Sequence, residues 1–232
     1  MHNQPRSIAI VLDGNRRFAR RLGLASWKGH EFGLQKLENL FGWCIELGIK
    51  ELTLYCFSTE NFKRSKQEIK YLFALFWQKF KEMANGYGLF AGKVRVNFIG
   101  RMEMFDYKMQ KAMTDAMDKT KNNNALAVNF AMGYGARQEI TDAARKIARM
   151  AMQGKIKPED IDENLVEQNL YLKSSPDFII RPGAEKRLSN FLLWQSSYSE
   201  LFFIDKLWPE FTKEDLKACI DQFKKRKRRF GG

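Results

Sequence analysis

An acidic residue, an amide and two guanidinium groups follow an apolar run near the start of the chain. The run covers residues 8–12, and the polar segment is Asp13-Gly14-Asn15-Arg16-Arg17. Gly14 permits a tight turn under a ligand, and the two arginines offer bidentate donors to phosphate oxygens. An acid among phosphate donors would repel the anion unless a divalent cation lay between them. The segment therefore predicts a joint phosphate and Mg²⁺ site, the alternative being a turn capped by Asp13 beside solvated arginines.

A second polar segment follows the next β-rich run and alternates hydroxyl, amide and basic groups with aromatic ones. It consists of Ser58, Thr59, Glu60, Asn61, Phe62, Lys63 and Arg64. This mixture predicts a loop that closes over a ligand with both phosphate and apolar parts. The alternative is a surface connection in which Ser65 and Glu68 form a capping box at the start of a helix.

A third charged segment follows the fifth predicted strand. Arg181 and Arg187 flank a Pro182-Gly183 turn, and the hydroxyl of Ser189 could cap a following helix or bind phosphate. Glu200 lies just before the next strand. Arginines beside such a turn are often only solvated, but three charged segments at strand ends favour a second diphosphate site.

Short β-rich runs alternate with amphipathic helical patterns along the chain. Strands are predicted at 7–12, 51–57, 94–99, 126–131, 177–181 and 201–204, and helices at 31–47, 66–86, 103–121, 136–153, 160–170, 190–197 and 212–225. This order predicts an α/β fold: a single domain over residues 1–232 with a central, mostly parallel six-stranded sheet flanked by helices, and a basic tail at 224–232. Ligands of such sheets bind at the carboxyl ends of the strands, which all three polar segments follow.

The composition limits the function classes. Lys and Arg number 40 against 27 Asp and Glu, and the basic run at 224–229 supplies six charges of the net +13. This balance suits nucleic acid, an anionic membrane surface or polyphosphate substrates, and the net charge does not choose among them. A nucleic-acid binder is the least favoured of the three, because the sequence contains no recognisable recognition module. Three widely spaced cysteines indicate neither disulfides nor zinc. Without a signal pattern or a membrane-spanning run, the sequence predicts a cytoplasmic protein, with peripheral membrane contact left open.

The motifs together resemble those of the cis-prenyltransferases, the family of undecaprenyl and dehydrodolichyl diphosphate synthases. The resemblance spans nearly the whole chain, in order, and is specific because five separate motifs agree in residue type and spacing. They are residues 13–19 with Gly29-His30, residues 57–64, Gly133-Tyr134-Gly135 with Arg137, residues 181–200, and Arg229-Phe230-Gly231.

This resemblance implies addition of isopentenyl diphosphate to an allylic prenyl diphosphate with formation of Z double bonds and a requirement for Mg²⁺. It places Asp13 and Glu200 at the metal, Gly14, Asn15, Arg16 and Arg17 around the allylic phosphates, and Arg181, Arg187 and Ser189 around isopentenyl diphosphate. His30, Ser58, Asn61 and Arg64 would position the reacting groups and assist proton removal. Phe62 stands where the family often has Trp and would form an aromatic wall against the prenyl chain. The product would supply a glycosyl-carrier lipid.

The resemblance also implies a homodimer, because an Arg-x-Gly tail such as Arg229 with Gly231 reaches the partner's isopentenyl diphosphate site in this family. Two positions depart from the family pattern. Ser26 replaces a common Arg, for which Lys28, Arg20 or Arg21 could compensate, and residues 182–184 replace a Thr- or Ser-Gly-Gly turn. These departures leave non-head-to-tail prenyl coupling on the same fold open as an alternative. A supporting subunit of a heteromeric synthase is a separate alternative.

Overall fold

The computed structural model describes residues 4–86 and 92–226. Its first strand, β1 (Ser7–Val11), is apolar at nearly every position and is buried on both faces. Ile8 and Ile10 pack into one hydrophobic cluster, whereas Ala9 and Val11 pack into another on the opposite face. Burial on both faces is typical of an inner strand of a parallel sheet.

Six strands form one sheet. They are β1, β2 (Glu51–Ser58), β3 (Val94–Ile99), β4 (Leu126–Tyr134), β5 (Phe178–Pro182) and β6 (Glu200–Ile204). Their order is β3-β4-β2-β1-β5-β6, and every neighbouring pair is parallel. The predicted α/β fold with a mostly parallel six-stranded sheet is therefore confirmed.

Helices cover both faces of this sheet. They are α1 (Asn15–Arg21), α2 (Gly29–Glu46), α3 (Lys66–Ala84), α4 (Tyr107–Thr120), α5 (Ala136–Met152), α6 (Glu163–Asn169) and α7 (Lys213–Lys225). The cluster around Ile8 and Ile10 includes residues of the neighbouring strands, and its helical members come from α2, α3, α4 and α7. On the opposite face, the chain around Leu172 and Phe191 packs against Ala9 and Val11.

The helix predicted at 190–197 is wrong. Ser189, Asn190 and Leu192 have φ angles of 51°, 64° and 46°, which a right-handed helix cannot accommodate. Tertiary contacts fix this path: the Asn190 carbonyl accepts the Ala136 amide at 2.8 Å, and the Gln195 amide donates to the buried Glu139 carboxylate at 3.0 Å. Local helix propensity is outweighed by these contacts, so Ser189 does not act as a helix cap.

The three polar segments follow β1, β2 and β5, which are neighbours at the centre of the sheet. Because these strands are parallel, the segments lie at the same edge. Among the residues that the structure describes, no helix is long and apolar enough to cross a membrane.

Candidate active site

Asp13 lies between two arginines just beyond β1. Its Oδ1 is 3.2 Å from Arg17 Nη2, and its Oδ2 accepts from Arg181 Nη2 at 2.9 Å. The Arg181 side chain is 7% exposed, whereas that of Asp13 is 27% exposed. The carboxylate is thus held by two cations while part of it remains accessible from the cavity. The three charges come from different elements, because Asp13 follows β1, Arg17 lies in α1 and Arg181 lies in β5.

Close backbone contacts hold the turn after β1. Gly14 has a φ of 109°, and a Cβ there would lie 2.8 Å from Leu207 Cβ, so glycine is required. Asn15 is buried and its side chain donates to the Leu12 carbonyl at 3.2 Å. A Cβ on Gly29 would lie 1.8 Å from the Asn15 carbonyl oxygen and one on Gly33 would lie 2.3 Å from Asn15 Oδ1, so α2 packs closely against α1 at two positions that have no side chain.

The segment after β5 surrounds a single hydroxyl. Ser189 Oγ accepts from Arg181 Nη1 at 2.8 Å and from Arg187 Nε at 3.2 Å. Arg187 also pairs with Glu185 at 2.5 Å, and Arg17 donates to the Gly183 carbonyl at 2.7 Å. The predicted grouping of Arg181, Arg187 and Ser189 is therefore present, and Arg17 connects it to the first segment.

Ser58 and Asn61 hold each other in the segment after β2. The Ser58 amide donates to Asn61 Oδ1 at 3.1 Å, and the Asn61 amide donates to Ser58 Oγ at 3.3 Å. This capping box starts a short 3-10 turn. The capping box predicted at Ser65 and Glu68 is only half formed: Ser65 accepts the Glu68 amide at 3.3 Å, but the Glu68 carboxylate faces other partners.

Glu68 is the functional residue that sequence reasoning missed. Its side chain is 5% exposed, and its Oε1 lies 3.4 Å from His30 Nε2, 3.2 Å from Arg64 Nη1 and 3.7 Å from Arg16 Nε. Burial, with the nearby Arg64 charge, lowers the pKa of His30 to about 4 despite the contact with Glu68. At neutral pH the imidazole is uncharged, and Glu68 orients it together with the guanidinium groups of Arg16 and Arg64.

Two adjoining cavities receive these side chains. The larger, of about 870 Å³, is lined on its polar side by Asp13, Asn15, His30, Ser58, Asn61, Arg64, Arg181, Arg187 and Ser189. Its other walls are largely apolar, with leucines and phenylalanines from α2, α3 and β4. The smaller, of about 230 Å³, is lined by Leu12, Asp13, Gly14, Asn15, Arg16, Arg17, Arg20, His30 and Arg64. Asp13 lines both cavities, so a carboxylate stands where two cationic sites meet.

Two predicted site residues lie away from this arrangement. Phe62 packs at 4.9 Å from Phe57 between ring centroids and does not line either described cavity, because this face of the turn points into the core. Glu200 begins β6 in register with Phe178 and Ile8, so it lies about 16 Å along the strand direction from Asp13, five residues beyond Ile8. Within one chain the two carboxylates do not share a metal site. Glu200 instead pairs with Arg226 at 3.0 Å.

The other predictions have mixed outcomes. Of the three residues that could compensate for Ser26, Arg20 lines the smaller cavity, Lys28 lines neither described cavity and Arg21 pairs with Glu210 at 3.2 Å. Arg137 lines the larger cavity, as its inclusion in the motif suggested, and Tyr55 does so without having been singled out. Arg229 and Gly231 lie outside the described residues, and their proposed roles stay predictions.

Comparisons with known proteins identify the family of this chain. The family model described as "Putative undecaprenyl diphosphate synthase" matches residues 11–231. The chain belongs to this family of cis-prenyltransferases. A member from Thermococcus kodakarensis is 49% identical over 99% of this chain and 88% of its own length, and is named a tritrans,polycis-undecaprenyl-diphosphate synthase (geranylgeranyl-diphosphate specific). An isoprenyl transferase from Thermus thermophilus is 44% identical over 98% of this chain and 89% of its own.

Solved structures of this cis-prenyltransferase fold are similar over the whole chain. Lavandulyl diphosphate synthase from Lavandula x intermedia, in complex with dimethylallyl diphosphate, has a TM-score of 0.92 and 34% identity, covering 99% of both chains. A probable undecaprenyl diphosphate synthase from Campylobacter jejuni has a TM-score of 0.82 and 36% identity, covering 99% of this chain and 100% of its own. The fold and the family are therefore established together.

Proposed function

We propose that this cis-prenyltransferase condenses isopentenyl diphosphate with an allylic prenyl diphosphate to give a Z-polyprenyl diphosphate for a glycosyl-carrier lipid. The observation that carries this proposal is the position of Asp13 between Arg17 and Arg181, at the junction of two cation-lined cavities. Two diphosphates could bind on either side of one carboxylate, with their carbon chains directed into the apolar part of the larger cavity. The name of the Thermococcus kodakarensis relative suggests geranylgeranyl diphosphate as the allylic substrate.

The residues divide into two diphosphate sites. Arg16, Arg17 and Arg20, with the backbone at Gly14, would bind the allylic diphosphate in the smaller cavity. Arg181, Arg187 and Ser189 would bind isopentenyl diphosphate. As the allylic C–O bond breaks, charge develops on the departing diphosphate, and these fixed cations would stabilise it without reorganisation. The allylic carbon then bonds to the terminal carbon of isopentenyl diphosphate, whose C2 loses a proton. His30, Ser58, Asn61 and Arg64 would orient the reacting groups and assist that loss.

The donor set at Asp13 fits Mg²⁺. Among the described residues, no three His, Cys, Asp or Glu side chains form a metal cluster. Mg²⁺ nevertheless binds commonly through one or two carboxylates together with substrate phosphates and water, and Asp13 supplies such a carboxylate beside the phosphate-facing arginines. Bound there, Mg²⁺ would neutralise charge on the departing diphosphate. The predicted metal role of Glu200 remains a proposal that requires a second chain, because Asp13 of the same chain lies too far from Glu200.

Product analysis tests the proposed reaction. Purified protein, Mg²⁺, isopentenyl diphosphate and primers from C5 to C20 should yield Z-polyprenyl diphosphates, detected by mass spectrometry and by chromatography against Z and E standards. Asp13→Ala should abolish turnover and leave the circular dichroism spectrum unchanged. EDTA should abolish turnover of the wild-type enzyme, and excess Mg²⁺ should restore that turnover. Product formed from an allylic diphosphate alone would instead indicate non-head-to-tail coupling. Activity that appears only with a second protein would indicate a supporting subunit.

A homodimer is the proposed assembly. Strand β6 is the last strand of the sheet, and its Leu201 and Phe203 side chains are 38% and 37% exposed. Among the described strands β6 thus lies at the edge of the sheet with exposed apolar side chains on one face, which favours association with a second copy. Sedimentation should give twice the monomer mass. The Asp13→Ala and Arg229→Ala variants should each be inactive alone. If Arg229 completes the partner's site, unfolding the two variants together and refolding them should restore activity through mixed dimers. No restored activity in the mixture would exclude that role of Arg229.

Peripheral membrane contact through the basic residues at 224–229 is also proposed, because six positive charges attract anionic lipid. The protein should sediment with vesicles that contain phosphatidylglycerol and not with neutral vesicles. Replacing these six residues by Gln should release it. Equal binding of the Gln variant would contradict this role of the run.

A further inference from the structure

Helices α2 and α3 are joined by polar side chains at both ends of the larger cavity. At the end nearer the phosphate sites, His30 faces Glu68 at 3.4 Å, and Tyr71 donates to Glu31. At the other end, Lys79 Nζ donates to Glu38 at 2.6 Å. Glu38 lies eight residues beyond His30 and Lys79 eleven beyond Glu68, so this second contact is about 12–16 Å along the helices from the first.

The walls between these two polar contacts are apolar. Leu34 and Leu37 line the cavity from α2, and Leu72, Leu75 and Phe76 line it from α3. Phe80 and Phe130 lie at the depth of Lys79, in ring contact with each other at 5.8 Å between centroids. Lys79 is therefore a charged side chain at the distal end of an otherwise apolar channel.

The Lys79 ammonium is kept charged at this position. Burial by itself would lower its pKa, but hydrogen bonds with Glu38 and Glu82, the latter at 3.0 Å, outweigh burial and raise the pKa above its ordinary value. The side chains of Lys79, Glu38 and Glu82 are 20%, 32% and 39% exposed. The ion pair thus stands between the apolar channel on one side and solvent on the other.

We propose that the Glu38–Lys79 ion pair limits the length of the prenyl chain by closing the channel between α2 and α3. This inference rests on the proposed function, because it requires a growing prenyl chain in the cavity. A hydrocarbon end that reaches Lys79 must stop there or separate the two charges, and an apolar group offers neither of them a replacement partner. Products that fit within the apolar stretch are favoured over longer ones.

The test compares product lengths in charge-removing variants. Lys79→Met keeps an unbranched side chain of similar size without the charge, and Glu38→Gln removes the partner's charge from the other helix. Both should shift the most abundant product upward by at least one isoprene unit, with total isopentenyl diphosphate incorporation within about threefold of the wild type. Lys81→Met is the matched control, since Lys81 is exposed on the same helix and does not line the cavity. It should leave the distribution unchanged.

The double variant Lys79→Met with Glu38→Gln separates the ion pair from two independent effects. Residues that act through one contact are non-additive, so its shift should equal the larger single shift rather than their sum. Lys79→Arg, which keeps the charge, should retain the wild-type distribution. An unchanged distribution in folded, active Lys79→Met and Glu38→Gln enzymes would overturn this inference alone. A wild-type enzyme that makes no polyprenyl product with any primer would overturn the proposed function and this inference with it.

Discussion

The imidazole of His30 at the start of α2 faces the buried carboxylate of Glu68 on α3, with 3.4 Å between Nε2 and Oε1. The same oxygen lies 3.2 Å from Arg64. Glu68 does not line either described cavity, whereas His30 and Arg64 line both. One carboxylate behind the wall therefore sets the positions of side chains that would touch substrate.

Replacing Glu68 with Gln should lower both turnover and stability. The variant keeps the size of the side chain but leaves the partly exposed Arg64 without its carboxylate partner, at a cost of about 2 kcal/mol in the free energy of unfolding. Displaced side chains should reduce kcat roughly tenfold to a hundredfold. Urea unfolding and steady-state kinetics measure the two effects, with the exposed Glu103→Gln as control. Wild-type kcat in a folded Glu68→Gln enzyme would show that Glu68 does not position the site.

His30 should make the protein less stable as the pH falls from 6.5 to 4. Because burial lowers its pKa to about 4, the unfolded state binds a proton that the folded state does not over this range, and stability therefore rises with pH. The slope should approach about 1.4 kcal/mol per pH unit between the two pKa values. Unfolding of wild type and His30→Asn at pH 4.5, 5.5, 6.5 and 7.5 isolates this contribution from those of the carboxylates. Parallel stability curves for the two proteins would contradict the lowered pKa.

Gly183→Ala should impair substrate binding more than a glycine-to-alanine change at another position with positive φ. Gly183 has a φ of 101°, and a Cβ there would lie 2.5 Å from Arg17 Nη2. The matched control is Gly154→Ala, where φ is 66° and no atom lies within 4 Å of the added carbon. Both variants carry backbone strain of about 1–2 kcal/mol, but only Gly183→Ala should also raise KM for a diphosphate substrate, by roughly tenfold. Equal kinetics in the two variants would show that Arg17 adjusts freely.

Ser189→Ala should weaken binding of isopentenyl diphosphate. The hydroxyl accepts from both Arg181 and Arg187, and its loss removes the contact that aligns the two guanidinium groups. A hydrogen bond to a charged donor contributes about 1.5–3 kcal/mol when both partners are buried. Because Arg187 is exposed, its bond contributes less than this, and we expect KM to rise roughly tenfold. Ser189→Gly, which relieves the positive φ as well, should show the same rise. A normal KM in both variants would assign the hydroxyl a purely local role.

The sequence was sufficient to predict those parts of the fold and site that depend on local pattern. The apolar run before Asp13 predicted β1, and alternation of strands with helices predicted a parallel sheet whose strand ends carry the charged segments. The path of residues 189–192 could not be predicted, because contacts with Ala136 and Glu139 impose positive φ angles against helix propensity. Glu68 had a credible capping role in the sequence, and its contact with His30 depends on how α2 packs beside α3.

The contact between Trp208 and Gly33 joins residues 175 positions apart: the indole N–H donates to the Gly33 carbonyl at 2.9 Å. The Trp208 amide also donates to the Asp13 carbonyl at 2.8 Å, and Leu207 packs over Gly14. The phosphate-facing turn at the beginning of the chain is thus completed by a segment near its end. Such non-local closure is slow compared with local helix formation. During synthesis, the turn after β1 cannot be completed until Leu207 and Trp208 have left the ribosome, so a chain that ends before Leu207 should lack the proposed diphosphate site.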